Sequence, residues 1–219
     1  MNILAIDCVS SMLSVAVSSN EEIYQSETEA DMNQSSLIMD LIDTQVKRAG
    51  LTTKDLNGVL CMGGPGSFTG LRIGYSIAKG LSLSLDIPFA PIPSLDCIAF
   101  EFTECLLLSV LQISKNSYFY AIYQNGIRIT DIKDASFEQL YLDIINLKIQ
   151  NMKIITLTGP GSPILYDFLK PRLKDQINHK YIKKGYSREL ITIAKNKNIL
   201  HNDCTEYLIS GPDYIRNSV

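Results

Sequence analysis

The stretch Gly63-Gly64-Pro65-Gly66-Ser67-Phe68-Thr69-Gly70-Leu71-Arg72-Ile73-Gly74 concentrates more conformationally special residues than any other part of this chain. Before it, Gly58-Val59-Leu60-Cys61-Met62 reads as a strand; after it, Leu71 to Leu85 reads as a helix, so the glycines form a strand-to-helix junction. Glycine admits φ > 0 or the close approach of another backbone, Pro65 fixes φ, and Ser67 or Thr69 can cap the helix. Two readings stand open. Free N–H groups at the helix start suit an anion held near Gly64, Gly66 and Ser67, whereas a tightly packed turn needs the same glycines. No Walker lysine follows the last glycine, and no spaced G-x-G-x-x-G is present.

The helix that the junction launches is apolar on two faces. Leu71, Tyr75, Ala78, Leu81 and Leu85 make one stripe; Ile73 and Ile77, with the small Gly74, Gly80 and Ser84, make another. One face covers the sheet of its own domain, and the other calls for a second helix or a second chain, which small residues let approach closely.

The rest of the chain supplies the sheet. Residues 2–7 and 13–18 read as strands, followed by a hairpin at Ser19-Asn20-Glu21 and a third strand near Ile23 to Ser26. Leu37, Ile38, Leu41, Ile42 and Val46 then mark a helix stopped by Gly50, giving the order β-β-β-α-β-α up to residue 85. Proline-punctuated 87–94 ends the first unit, with a helix capped at Ser94 running toward Glu104. Strands are expected at 106–112, 118–123 and 126–129, the last two joined at Asn125-Gly126. Beyond them come a helix at 136–149, a strand at 154–158, a second glycine-rich junction at 159–163 and helices to about Leu169 and over 187–197. The two strand–glycine–helix junctions suggest related halves, although no sequence repeat accompanies them.

With 219 residues, 46% of them hydrophobic, the chain can bury a sizeable core. It has no apolar run long enough to span a membrane and no signal peptide, so the expected address is the cytoplasm. Cys8, Cys61, Cys97, Cys105 and Cys204 form no C-x-x-C pair and suit reduced thiols; with only His179 and His201 beside them, no metal site is expected. Net charge is −3, unevenly spread: residues 1–60 carry nine acids against three bases, residues 170–197 nine bases against two acids. The basic stretch suits either an acidic partner or a solvated surface.

Candidates for chemistry are sparse. Asp7 ends the first strand, where a carboxylate either holds a metal-bound phosphate or hydrogen-bonds neighbouring backbone N–H groups. Ser67 stands on a strand-to-helix turn without a G-x-S-x-G context, and both histidines lie far along the chain. No catalytic set assembles, and no cofactor is called for.

The strand Ile3-Leu4-Ala5-Ile6-Asp7, the block from Gly64 to Gly74, the segment Ala78-Lys79-Gly80-Leu81 and the closing Pro212-Asp213-Tyr214-Ile215-Arg216 together resemble the TsaB (YeaZ) family. The resemblance implies a two-lobed, actin-like α/β fold with a ribonuclease H-like core, its mixed sheets flanked by helices. It implies lobes over 1–100 and 101–219, the tail from about 205 packing back on the first. By resemblance, the chain is a non-catalytic partner in tRNA threonylcarbamoyladenosine formation. It would pair with the catalytic subunit TsaD, support binding of the ATPase TsaE, meet tRNA only through the complex, and form a homodimer when its partner is absent. The partner surface would lie on the helices matching about 35–49 and 68–85, with Leu37, Ile38, Leu41, Ile42, Phe68, Ile73, Ile77, Gly80 and Leu81 as contacts. This sequence departs from the family at Cys8-Val9, at Asn33 and over Lys115 to Tyr120. A stand-alone actin-like ATPase or small-molecule kinase is the other reading, and a peptidase finds no nucleophile or metal set.

Overall fold

Strands covered on both faces set the architecture, because their side chains alternate between two buried layers. The computed structural model describes residues 1–10, 12–29, 34–103, 106–146, 154–201 and 204–214. Ser11, Asn33, Glu104, Cys105, residues 147–149, Ile215 and Arg216 lie outside the described residues. The chain divides into two units, residues 1–97 with 184–214 forming the first and residues 98–183 the second. The return to the first unit begins at Lys184, well before the expected 205.

In the first unit, β2 (Met12–Ser19) pairs antiparallel with β1 (Ile3–Asp7) on one side and with β3 (Glu22–Glu29) on the other. The β2–β3 hairpin turns on Asn20 and Glu21, both at positive φ, as a two-residue turn between right-twisted strands requires. Helix α1 (Gln34–Arg48) leads through a 3₁₀ turn to β4 (Gly58–Gly64), helix α2 (Phe68–Leu85), β5 (Phe89–Pro93) and helix α3 (Ser94–Ala99). The sheet order is β3-β2-β1-β4-β5, with β4 parallel to both β1 and β5. The proline-rich stretch expected to be a connection is therefore a strand. It tolerates Pro91 and Pro93 because it lies at the sheet edge, where a missing N–H costs no ladder bond.

Period-two alternation sorts the core. Leu4, Ile6, Leu13, Val15, Val17, Val59 and Cys61 face a layer made by Ile38, Ile42 and Val46 of α1 and Tyr75 and Ala78 of α2. Helix α6 (Ser187–Asn196) packs against β1, β2 and β4, placing Leu190, Ile191 and Ala194 in the interior. That interior packing is why the chain re-enters the first unit before its last helix, α7 (Thr205–Ile209).

The second unit follows the same plan. Strands β6 (Leu106–Ser114), β7 (Ser117–Gln124), β8 (Ile127–Arg128) and β9 (Lys133–Ser136) precede helix α4 (Phe137–Asn146), β10 (Ile155–Thr158), helix α5 (Ser162–Leu173) and β11 (Ile177–His179). The order is β11-β10-β6-β7-β8, with β9 also pairing β7, and β10 runs parallel to β6 and β11. Three antiparallel strands followed by parallel crossovers thus occur twice. Strands β9 and β11 escape sequence reading because they are short and carry polar residues such as Lys133, Asp134 and Asn178. Among the described residues no helix is long and apolar enough to cross a membrane.

A buried carboxylate fastens α6 to the first sheet. Asp7 accepts from the backbone N–H groups of Val9 (2.9 Å) and Tyr186 (3.0 Å) and from the Ser10 hydroxyl (3.0 Å), while Ser14 Oγ accepts from Ser187 N–H (3.2 Å). Burial pushes the Asp7 pKa up, against those hydrogen bonds, which pull it down. Asp7→Ala is expected to lower unfolding free energy by about 3 kcal/mol, since it strands buried donors at both ends of the tether; chemical denaturation measures it. Because the folded-state pKa is raised, Asp7's favourable contribution is full below its unfolded value, about 3.9, and is lost as pH rises through the folded value. Stability measured against pH should show that decline in the parent and lose it in the variant.

Candidate docking face and its glycine-rich junction

The junction between β4 and α2 is built by close backbone approach. Gly64 has φ +105°, and a Cβ there would stand 2.5 Å from the carbonyl oxygen of Asp213; a Cβ on Gly70 would stand 1.9 Å from the carbonyl oxygen of Cys8. Only glycine permits both contacts. The Gly64–Pro65 peptide is cis. Ser67 caps α2, its Oγ accepting from Gly70 N–H at 3.2 Å, and Gly66 lies half-buried in the bend before it. The packed-turn reading thus accounts for Gly64 and Gly70. The anion candidates do not converge: Gly64 faces Asp213, Ser67 is engaged in the cap, and Asp7 spends its oxygens on Val9, Ser10 and Tyr186.

The remaining reactive groups are turned inward or kept apart. Cys8, Cys61, Cys97 and Cys204 are buried thiols outside any disulfide, and burial drives the pKa values of Cys8, Cys61 and Cys97 up, away from thiolate reactivity. His179, in the second unit, shares a hydrogen bond with the fully buried Ser162 (2.9 Å) and stacks on Tyr166; burial lowers its pKa. Among the described residues no three His, Cys, Asp or Glu side chains stand together as a metal-binding group.

The expected partner contacts separate into two kinds. Leu37 and Leu41 on α1, and Ile73, Ile77 and Leu81 on α2, are half-buried: they pack on the core with one side and reach the surface with the other. Phe68 is 53% exposed, and Gly80 is exposed with nothing within 4 Å of where its Cβ would be. Ile38 and Ile42 are a correction. They are 0% and 3% exposed, because i and i+4 positions on the sheet-facing side of α1 fill the core, and they support the face without forming it. Sequence reading also missed Met39 (48% exposed) and Leu83 (67% exposed); an isolated apolar residue on the outer side of an amphipathic helix gives no periodic signal.

Residues 19–164 match the family model described as TsaD: tRNA N6-adenosine threonylcarbamoyltransferase. The chain is similar to the tRNA threonylcarbamoyladenosine biosynthesis protein TsaB of Buchnera aphidicola subsp. Acyrthosiphon pisum, with 28% identity over 91% of this chain and 97% of that protein. It is similar to the protein of the same name from Buchnera aphidicola subsp. Schizaphis graminum, with 41% identity over 44% of this chain and 46% of that one. Among solved structures, a Pseudomonas aeruginosa protein described as similar to the peptidase YeaZ superposes with a TM-score of 0.80 at 15% identity, covering 98% of this chain and 99% of that one. Half-open helices on a β3-β2-β1-β4-β5 sheet, a glycine junction that seats backbone, and a family match over most of the sequence agree: the chain belongs to the TsaD family, on its TsaB (YeaZ) branch.

Proposed function

We propose that this chain is a non-catalytic subunit of the tRNA threonylcarbamoyladenosine machinery. It docks a TsaD-type catalytic subunit through the outer face of α1 and α2, supports the binding of TsaE, and reaches tRNA only within the assembly. The names of its relatives supply the pathway. The observation that carries the docking role is α2 itself: an apolar row, Ile73, Ile77 and Leu81, half open to solvent, beside a bare Gly80. A helix face of that kind gains by burial against a second helix, and a glycine lets the two backbones approach closely. Burial of Asp7 and of the thiols supports a role in which the chemistry belongs to the other subunit. With the partner absent, the same face pairs two copies of this chain.

Two sets of variants test the face. Leu41→Glu and Ile77→Glu each place a charge in the joint and are expected to weaken pairing at least about tenfold, or roughly 1.4 kcal/mol. Co-purification with the TsaD-type subunit, followed by titration, reads this; undiminished pairing in both removes the face from the interface. Gly80→Arg separates folding from docking. With open space at its Cβ, it should leave the isolated chain as stable or up to about 1 kcal/mol more so through helix propensity, while blocking close helix approach. Equal pairing before and after this substitution contradicts the proposal.

A further inference from the structure

Helix α2 is held unevenly around its circumference. At about 100° per residue, Ile73, Ile77 and Leu81 lie roughly 120–180° around the helix from Phe68 and Lys79, so the docking row and the Lys79 flank are opposite sides of one cylinder. Leu71, Tyr75 and Ala78 anchor the underside in the core, and the Ser67 cap, with Gly70 against Cys8, fixes the first turn. Because the docking row is half open, resistance to rolling of the helix over the sheet has to come from the other flank.

That flank is closed by the chain's last described segment. The Lys79 ammonium donates to the carbonyl of Leu208 (3.0 Å) and to that of Ser210, at the end of α7, and lies 5.7 Å from the ring centroid of Tyr75, which stands edge-on to Phe89 of β5. Tyr207 and Leu208 pack on the first core, and α7 lies against β5. The chain leaves helical structure at Ser210 and returns to the start of α2: Asp213 N–H donates to the carbonyl of Gly63 at 2.9 Å, and Tyr214 meets Phe68 with ring centroids 5.1 Å apart. Phe68 and Lys79 are separated by about 17 Å of helix rise, a distance that the steps from Ser210 to Tyr214 nearly cover when extended. The segment therefore runs along α2 and is fastened at both ends. Its fastenings are hydrogen bonds near the surface, and Ile209 is 90% exposed, so it can open locally while the sheet stays folded.

We infer that residues 208–214 are a strap that sets α2 for docking from behind, and that Lys79 is a positioning residue for the docking row without being a contact in it. This rests on the docking reading above. With the strap closed, Ile73, Ile77 and Leu81 are presented in one orientation; with it open, a partner has to order the helix as it binds, and affinity falls by that cost. Two variants open the strap at its two ends: Lys79→Met removes the ammonium, and Asp213→Pro removes the N–H that Gly63 accepts. Lys79→Arg keeps a cation with donors. Hydrogen exchange over 71–85 and 208–214, melting of the free chain and titration of the TsaD-type subunit are measured for each. Lys79→Met and Asp213→Pro are expected to raise exchange in both stretches and weaken binding about tenfold, with melting within a few degrees of the parent, and Lys79→Arg to recover most of the binding. Faster exchange confined to 208–214, with parent-like binding, overturns the inference and leaves the helix face standing. Weaker binding with α2 exchange unchanged also overturns it, by making the segment a direct contact. A parent chain that does not bind sinks the docking reading and the inference with it, and that failure shows before any variant is made.

Discussion

The first unit depends on backbone meeting backbone at the glycine-rich junction. Three separate pieces of chain converge there: the end of β1 at Cys8, the first turn of α2 at Gly70, and the closing segment at Asp213. Side chains at Gly64 or Gly70 would occupy space already filled by carbonyl oxygens, and a protein interior has little room to yield. Because that contact sets where α2 starts, it also sets which residues of the helix face the sheet and which face outward. Leu71, Tyr75 and Ala78 are buried, and Ile73, Ile77 and Leu81 are left half open.

Polar groups that could carry chemistry are used to hold this arrangement. Asp7 stands at the end of the first strand, a position suited to a metal or phosphate, yet its oxygens take up donors from its own turn and from the start of α6. Ser67 is consumed by a helix cap and Lys79 by the carbonyls that end α7. Each is satisfied inside the unit, so the features left for an outside partner are mainly apolar. An apolar face whose neighbouring polar groups are satisfied within the unit is what the proposed docking role rests on.

The second unit repeats the plan of the first, with three antiparallel strands and two parallel crossovers, while its residues diverge. The Gly159-Pro160-Gly161-Ser162 turn mirrors the Gly64-Pro65-Gly66-Ser67 turn between strand and helix. Here Gly159, at φ +109°, lies against the Val110 carbonyl, and Ser162 joins His179. The shared constraint is geometric: a parallel crossover leaves the strand end through a sharp turn, and glycine at positive φ makes it.

Local pattern and composition determined much of this protein. Period-two runs placed β1, β2, β6 and β7, the glycine block located the start of α2, and the apolar rows of α1 and α2 named the half-buried Leu37, Leu41, Ile73 and Ile77. Other features were decided only in three dimensions. Asp7 read as a lone carboxylate because its partner Tyr186 lies 179 residues away; Ile38 and Ile42, placed on the partner face by the family resemblance, fill the core instead, since a helical spacing does not say what covers each face. Strand β5 was hidden by prolines that only an edge position allows, and the seat of the closing segment on Gly63 and Lys79 joins residues with no local relation. Propensity and periodicity are properties of neighbours along the chain, whereas burial, satisfied hydrogen bonds and close backbone approach belong to neighbours in space.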